Sequence, residues 1–147
     1  MIVLSAISTC PTRPAWPAIT TYLLTTAIAR TSRSPMIRDA HDFRAGIHDR
    51  RLRKLTGRSY SALVHPVARD FPLETMRPGD VFFHNDVYES EGGIGHLPDL
   101  CVTVPVFARG EDGEPSVVAF VQAFGHHDDI GGAVPRSIPS NATSVFA

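Results

Sequence analysis

Residues 100–124 read LCVTVPVFARGEDGEPSVVAFVQAF, two apolar runs separated by a polar loop. The runs at 100–107 and 117–124 are rich in β-branched and aromatic residues, which strands favour. The loop at 109–115, RGEDGEP, is short and contains two glycines. This pattern predicts an antiparallel hairpin, with an edge or a bulge at Pro105 because proline has no N–H to donate to a ladder.

Shorter elements are expected upstream of the hairpin. The apolar spacing at 19–30 and at 64–71 favours two helices. Residues 42–49 alternate weakly, as an edge strand does, and residues 81–84 read as a strand that runs into a loop. With 147 residues, the chain suits one domain. We therefore expect a single α+β domain built mainly of antiparallel sheet with short helices.

Composition excludes several classes of protein. The chain is 43% hydrophobic and 20% charged, as globular domains are, and its 14 basic and 15 acidic residues nearly cancel. Nucleic-acid and membrane-surface binders usually carry a clear basic excess, so neither partner is predicted. Apolar runs are too short for a membrane-spanning helix. Two cysteines are too few for a disulfide scaffold, which favours a reduced, cytoplasmic setting.

The small net charge conceals an asymmetry along the chain. Residues 1–80 contain 12 Lys or Arg and 6 Asp or Glu, whereas residues 81–147 contain 2 and 9. Three interpretations stay open: the halves fold against each other, the basic segment 30–58 meets a partner, or that segment is a solvated surface.

Polar clusters stand at both ends of the predicted hairpin. His96 and Asp99 precede it, and the run HHDD at 126–129 follows it. In an antiparallel hairpin the start of the first strand lies beside the end of the second. A turn centred near 111–112 would place Asp99 opposite Phe124 and His96 near His127, so the two clusters should meet at one end of the sheet.

Two imidazoles and a carboxylate can bind a divalent transition metal, such as manganese, zinc or iron. The candidate ligands are His96, Asp99, His126 and His127. Neighbours on an extended chain face opposite ways, so only one of the adjacent histidines should point inward. The alternative is a hydrogen-bonded network that holds an irregular, glycine-rich segment without any metal.

Further polar residues could support this site. Asn85 and Asp86 follow the preceding strand and could supply another ligand or a hydrogen bond to one. Asp128 or Asp129 could orient a histidine in the same way. Asp86 and Asp129 are the candidate catalytic carboxylates. Cys101 lies inside an apolar strand and is expected in the core.

Several separate motifs, in this order, resemble the hydantoinase B/oxoprolinase family: RPGDV at 77–81, Asn85-Asp86, HLPD at 96–99, PVF at 105–107, GHHDDIGG at 125–132 and PSNAT at 139–143. That family includes B subunits of N-methylhydantoinases, the matching half of 5-oxoprolinase and subunits of acetone carboxylase. The resemblance covers residues 27–147. Residues 1–26 are unmatched and expected to form a poorly ordered leader. Family members have several hundred residues, so the resemblance implies an N-terminal portion of an incomplete domain.

The resemblance also implies an activity, the ATP-dependent opening of a cyclic amide such as a hydantoin or 5-oxoproline. The opening of 5-oxoproline is a step of glutathione metabolism. In that family an A-type partner subunit binds ATP and phosphorylates the carbonyl oxygen of the substrate, and the B-type part handles the activated intermediate. Consistent with this division, the chain has no nucleotide-binding motif of its own.

In acetone carboxylase members a metal is held by residues that correspond to His96, Asp99 and either His126 or His127. Three alternatives to the cyclic-amide hydrolase stay open. They are an inactive truncated piece that binds an A-type partner, an acetone-carboxylase-like subunit, and a stand-alone metal hydrolase.

Overall fold

The computed structural model describes residues 15–57, 63–110 and 113–129, with side chains from residue 19 to 56 in the first of these ranges. The elements in chain order are α1 (Ala15–Thr31), α2 (Pro35–Arg38), β1 (Phe43–Asp49), β2 (Lys54–Gly57), α3 (Val64–Asp70), a 3₁₀ turn (Leu73–Thr75), β3 (Phe82–His84), β4 (Asp99–Arg109) and β5 (Pro115–His126). The strands form one antiparallel sheet in the order β2-β1-β5-β4-β3. The predicted α+β class with a mainly antiparallel sheet is confirmed.

The β4–β5 hairpin has the predicted topology but a different register. Asp99 lies opposite His126, and Cys101 lies opposite Phe124, so the predicted pairing of Asp99 with Phe124 was wrong by two residues. A bulge between Val106 and Phe107, next to Pro105, leaves one extra residue in β5 and accounts for one step of the shift. The other step is already present at the loop end of the hairpin, where Arg109 pairs with Pro115 instead of Glu114.

The upstream elements agree with prediction except at residues 42–49. The helices expected at 19–30 and 64–71 and the strand at 81–84 are present. The expected edge strand is instead internal, because β1 pairs with β5 on one side and with β2 on the other. Helix α1 also includes residues 15–26, part of the predicted leader, and residues 1–14 lie outside the described residues. Among the described helices, none combines the length and apolar character needed to cross a bilayer.

Helix α3 covers one face of the sheet, here called the core face. Val64 and Val67 of α3 pack with Met76 and with Val117 and Phe120 of β5. A second cluster nearer the start of β4 joins Leu63, Ile94 and Cys101. The opposite, outer face carries alternate residues such as Val102 and Ala123, and α1 and α2 contact it only in part.

The core face also carries buried polar side chains. The Gln122 amide donates a hydrogen bond of 3.1 Å to the Thr103 hydroxyl across the β4–β5 pair. His48, on β1, is fully buried, and neither ring nitrogen has a hydrogen-bond partner within the described part of the chain. Burial lowers the pKa of His48, and the nearby charges of Lys54 and His65 act in the same direction. His48 is therefore neutral in the folded protein.

We predict that His48→Leu stabilises the fold and reduces its sensitivity to acid. The pKa of His48 is lower in the folded protein than the ordinary value of about 6.5 in the unfolded chain. As pH falls below about 6.5, the unfolded chain binds a proton that the folded protein does not, so stability falls. Removing two unpaired buried nitrogens should raise the free energy of unfolding by about 1–3 kcal/mol.

Urea unfolding at pH 7.5 and pH 5.5 would measure both effects of His48→Leu. His84 also has its pKa lowered by burial, so His84→Leu serves as a matched comparison and some pH dependence should remain in each single variant. If His48→Leu were less stable than the unmodified protein and had the same pH dependence, the His48 ring nitrogens would have hydrogen-bond partners in the folded protein.

The Cys101 thiol should be unreactive until the domain unfolds. Cys101 is fully buried, and burial raises its pKa to about 11. At pH 8 the thiolate fraction is then on the order of one in a thousand. In Cys10→Ser, which leaves Cys101 as the sole thiol, alkylation should be slow in buffer and fast in urea. Fast alkylation of the folded protein would show that Cys101 is accessible rather than buried.

Candidate metal centre

The site is built where β4 begins and β5 ends. Asp99 is the first residue of β4, His126 is the last residue of β5, and the two are cross-strand partners. His96 lies one turn before Asp99, with its Nε2 3.4 Å from Asp99 Oδ2. The rings of His96 and His126 have centroids 5.2 Å apart. The predicted convergence of the two clusters is thus present in the structure, and we call these three residues the histidine–aspartate cluster.

Asp99 is the buried member of the cluster. Its residue is only 8% exposed, and burial raises the pKa of its carboxyl above the ordinary range. The His96 and His126 rings act in the opposite direction, while the negative charge of Asp42 adds to the increase. Burial of a carboxylate is unfavourable unless positive charge or hydrogen bonds offset it. The site therefore favours a positive charge next to Asp99.

Backbone contacts fix the orientation of His126. Its N–H donates to the Asp42 carbonyl oxygen at 3.1 Å, which ties the end of β5 to the start of β1. Its Nδ1 lies 2.8 Å from the His127 carbonyl oxygen. A carbonyl oxygen only accepts, so Nδ1 carries the proton, and in the neutral ring Nε2 keeps its lone pair.

His127 lies on the other side of the strand from His126. Its N–H donates to the Pro98 carbonyl oxygen at 3.0 Å, and its Nδ1 is hydrogen-bonded to the Asp128 carbonyl oxygen. Its ring lines an apolar pocket on the outer face, with its centroid 6.3 Å from that of His126. The expected division between the two adjacent histidines is present, and His126 is the one in the histidine–aspartate cluster.

The two residues after β3 have separate roles. The Asn85 side-chain amide donates to the Leu97 carbonyl oxygen at 2.9 Å, so Asn85 holds the turn that carries His96. Asp86 is exposed, and its Oδ1 accepts the N–H groups of Tyr88 and Glu89 at 2.7 and 2.9 Å. These backbone bonds lower the pKa of Asp86. The Asp86 carboxylate thus organises its own turn.

The remaining acidic residues lie at the end of the described chain. Asp129, the second predicted catalytic carboxylate, is exposed. Asp128 Oδ1 accepts a hydrogen bond of 3.0 Å from the Ser34 hydroxyl, just before α2. Sequence reasoning missed Ser34 and Asp42 as supports of this site. They lie far from it along the chain, and no local pattern marks them.

The donor types suit a divalent transition metal, because one carboxylate and two imidazoles are common ligands for such ions. The His126 ring is oriented through Nδ1 in the way that metal-ligating histidines usually are. As they stand, however, no three His, Cys, Asp or Glu side chains among the described residues are arranged to hold one ion together. The His96 side chain is half-exposed, whereas that of Asp99 is largely buried.

Comparison with known proteins identifies relatives of this chain. The family model for hydantoinase B/oxoprolinase matches residues 21–147. The caprolactamase subunit beta of Pseudomonas jessenii is 29% identical over 133 residues, which are 84% of this chain and 21% of that protein. The 5-oxoprolinase of Dictyostelium discoideum is 38% identical over 79 residues, which are 51% of this chain and 6% of that protein.

A solved structure has the same fold over most of the chain. Acetone carboxylase in its nucleotide-free form superposes with a TM-score of 0.60 at 17% identity, covering 81% of this chain and 16% of that one. The chain spans only a small part of the relatives it matches, from 5% to 21% of their length. Because the family model matches most of its residues, the chain belongs to the hydantoinase B/oxoprolinase family.

Proposed function

We propose that this chain is part of a B-type subunit of an ATP-dependent cyclic-amide hydrolase, with the histidine–aspartate cluster as its metal centre. The observation that carries the proposal is the cross-strand pairing of Asp99 with His126, next to His96. Family membership supplies the reaction class, the opening of a hydantoin, 5-oxoproline or a related ring. We also propose that the protein is cytoplasmic and that it acts together with an A-type, ATP-binding subunit.

Each residue of the site has a proposed task. Asp99, His126 and His96 would hold a divalent ion such as manganese, zinc or iron. When bound, that ion supplies Lewis acidity toward an amide or phosphoryl oxygen. Asn85 holds the turn before Asp99 through its bond to the Leu97 carbonyl oxygen. Ser34 holds Asp128, two residues after His126.

The two predicted catalytic carboxylates lie in different surroundings. Asp86 Oδ1 already accepts hydrogen bonds from two backbone N–H groups. Its carboxylate is therefore better suited to stabilising the turn than to transferring a proton. Asp129 is exposed three residues after His126 and could reach a substrate held near the cluster. We propose Asp129 as the proton acceptor.

Metal binding is the direct test of the centre. The chain should bind about one manganese or zinc ion, measured by elemental analysis after dialysis and by calorimetry. His96→Ala and Asp99→Asn each remove one ligand and should weaken binding by at least about 100-fold. His65→Ala removes an exposed histidine on α3 and should leave binding unchanged. Equal binding in all four proteins would exclude this centre.

Ring opening should require both ATP and an A-type partner, because the proposed reaction is ATP-dependent and the A-type subunit is proposed to bind ATP. Release of the open-chain product from a hydantoin or 5-oxoproline would be measured with and without each component. Activity should appear only in the complete mixture, and His96→Ala should abolish it. Asp129→Asn should lower it by about 10²–10⁴-fold, the range attributed to general acid–base catalysis.

Other outcomes would favour the alternative functions. Turnover without ATP would indicate a stand-alone metal hydrolase. Partner binding with no turnover would indicate a partner-binding piece, and carboxylation of acetone in place of ring opening would indicate an acetone-carboxylase-like subunit.

A further inference from the structure

A groove of about 490 Å³ lies between α3 and β3. One wall comes from Val67 and Phe71 at the end of α3, and the other from Val81 and Phe82 at the start of β3. The rings of Phe71 and Phe82 pack against each other with their centroids 4.8 Å apart. Because three carboxylates also line this space, we call it the acidic groove.

Large apolar side chains are exposed around the acidic groove. Phe71 is 50% exposed, Val81 is 60% exposed and Phe83 is 61% exposed, and all three line the groove. Adjacent exposed apolar side chains that are rimmed by polar groups are typical of interaction sites. Contact with these side chains would remove apolar surface from water, so the groove favours a ligand with an apolar part.

The carboxylates that line the groove are those of Asp70, Asp86 and Glu89. The hydrogen bond from the Arg69 guanidinium lowers the pKa of Asp70, and backbone N–H groups lower the pKa of Asp86. Both residues are therefore ionised at neutral pH. His84 also lines the groove, and burial lowers its pKa, so its ring is neutral at pH 7.

Arg69 offsets only part of this negative charge. Its guanidinium donates hydrogen bonds to Asp70 and Glu89, each at 2.7 Å, and to Glu91 at 3.2 Å. With Asp86, four carboxylates stand against one guanidinium, which leaves an excess of three negative charges. The rim of the groove therefore attracts a cation.

The backbone of β3 suits an extended ligand. β3 is the outermost strand of the described sheet and, among the described strands, pairs only with β4. An extended segment can add to such an edge through main-chain hydrogen bonds. Its alternate side chains then face the same side of the sheet, so two or three of them can contact one groove.

We propose that the acidic groove is a docking surface for an extended, basic segment of another protein chain. Arginine and lysine side chains have long apolar stems and charged heads. In the groove the stem would lie against Phe71 and Val81, and the head would donate hydrogen bonds to the carboxylate of Asp86 or Glu89. The inference goes beyond the proposed function and does not depend on the metal centre.

Two matched peptides would test the charge preference. The probe is acetyl-Val-Arg-Val-Arg-Val-amide, titrated into the whole chain and followed by NMR, and its counterpart has glutamate in place of both arginines. The arginine peptide should bind with a dissociation constant on the order of 1 mM or lower. The glutamate peptide should bind at least about tenfold more weakly, because like charges would then face each other. Raising the salt concentration about tenfold should weaken binding of the arginine peptide.

Two pairs of variants would locate the binding site. Glu89→Lys reverses a charge on the rim and should weaken binding of the arginine peptide at least about tenfold. Glu74→Lys makes the same change at an exposed position outside the groove and should leave binding unchanged. Val81→Ser should weaken binding about threefold through lost apolar contact. Leu55→Ser, at an exposed position on the strand at the opposite edge of the sheet, is its control. Thermal unfolding would check that each variant is folded.

Several outcomes would overturn the inference. Equal binding of the two peptides, or equal binding by Glu89→Lys and Glu74→Lys, would refute the docking surface. Butylammonium that binds as tightly as the arginine peptide would indicate a site for small cations instead. A dimer that dissociates in Glu89→Lys without any peptide would show that a second copy of this chain occupies the groove. Tighter peptide binding after deletion of residues 130–147 would show that the chain's own segment occupies it.

Discussion

The pairing of Asp99 with His126 is the constraint on which the rest of the site depends. Side chains alternate between the two faces of a strand, so a slip of one residue would turn Asp99 toward the outer face and remove it from His96. The bulge between Val106 and Phe107 sets which residues are opposite each other beyond it. The site therefore forms only because the bulge leaves one residue of β5 unpaired, which brings Asp99 opposite His126.

Burial at the end of β4 then gives Asp99 its chemical character. The turn before it is held from two sides, by Asn85 on the Leu97 carbonyl oxygen and by the bond from His127 N–H to the Pro98 carbonyl oxygen. Because the backbone is fixed, Asp99 cannot move out to water without loss of these bonds. Burial raises the pKa of the Asp99 carboxyl, so positive charge close by would stabilise its ionised form.

Much of the site follows from local sequence, whereas its supports do not. Two β-branched runs around a polar loop predicted the hairpin, and the polar residues at its ends predicted the cluster. The register was two residues off because bulges follow from packing rather than from composition. The internal position of β1 depends on β2, which has no strong strand pattern. The Ser34–Asp128 bond joins residues 94 positions apart, so the sequence around neither residue indicates it.

The adjacency of His126 and His127 places a polar cluster and an apolar pocket side by side at the end of β5. Because neighbours on an extended chain face opposite ways, one ring joins Asp99 on the core-face side while the other lines the outer pocket. A single residue inserted or deleted between Gly125 and His127 would exchange these directions. The glycine just before the pair admits Ile37 to the wall of the pocket. The run from Gly125 to His127 therefore couples a polar cluster to an apolar pocket within three residues, and both parts depend on the register of one hairpin.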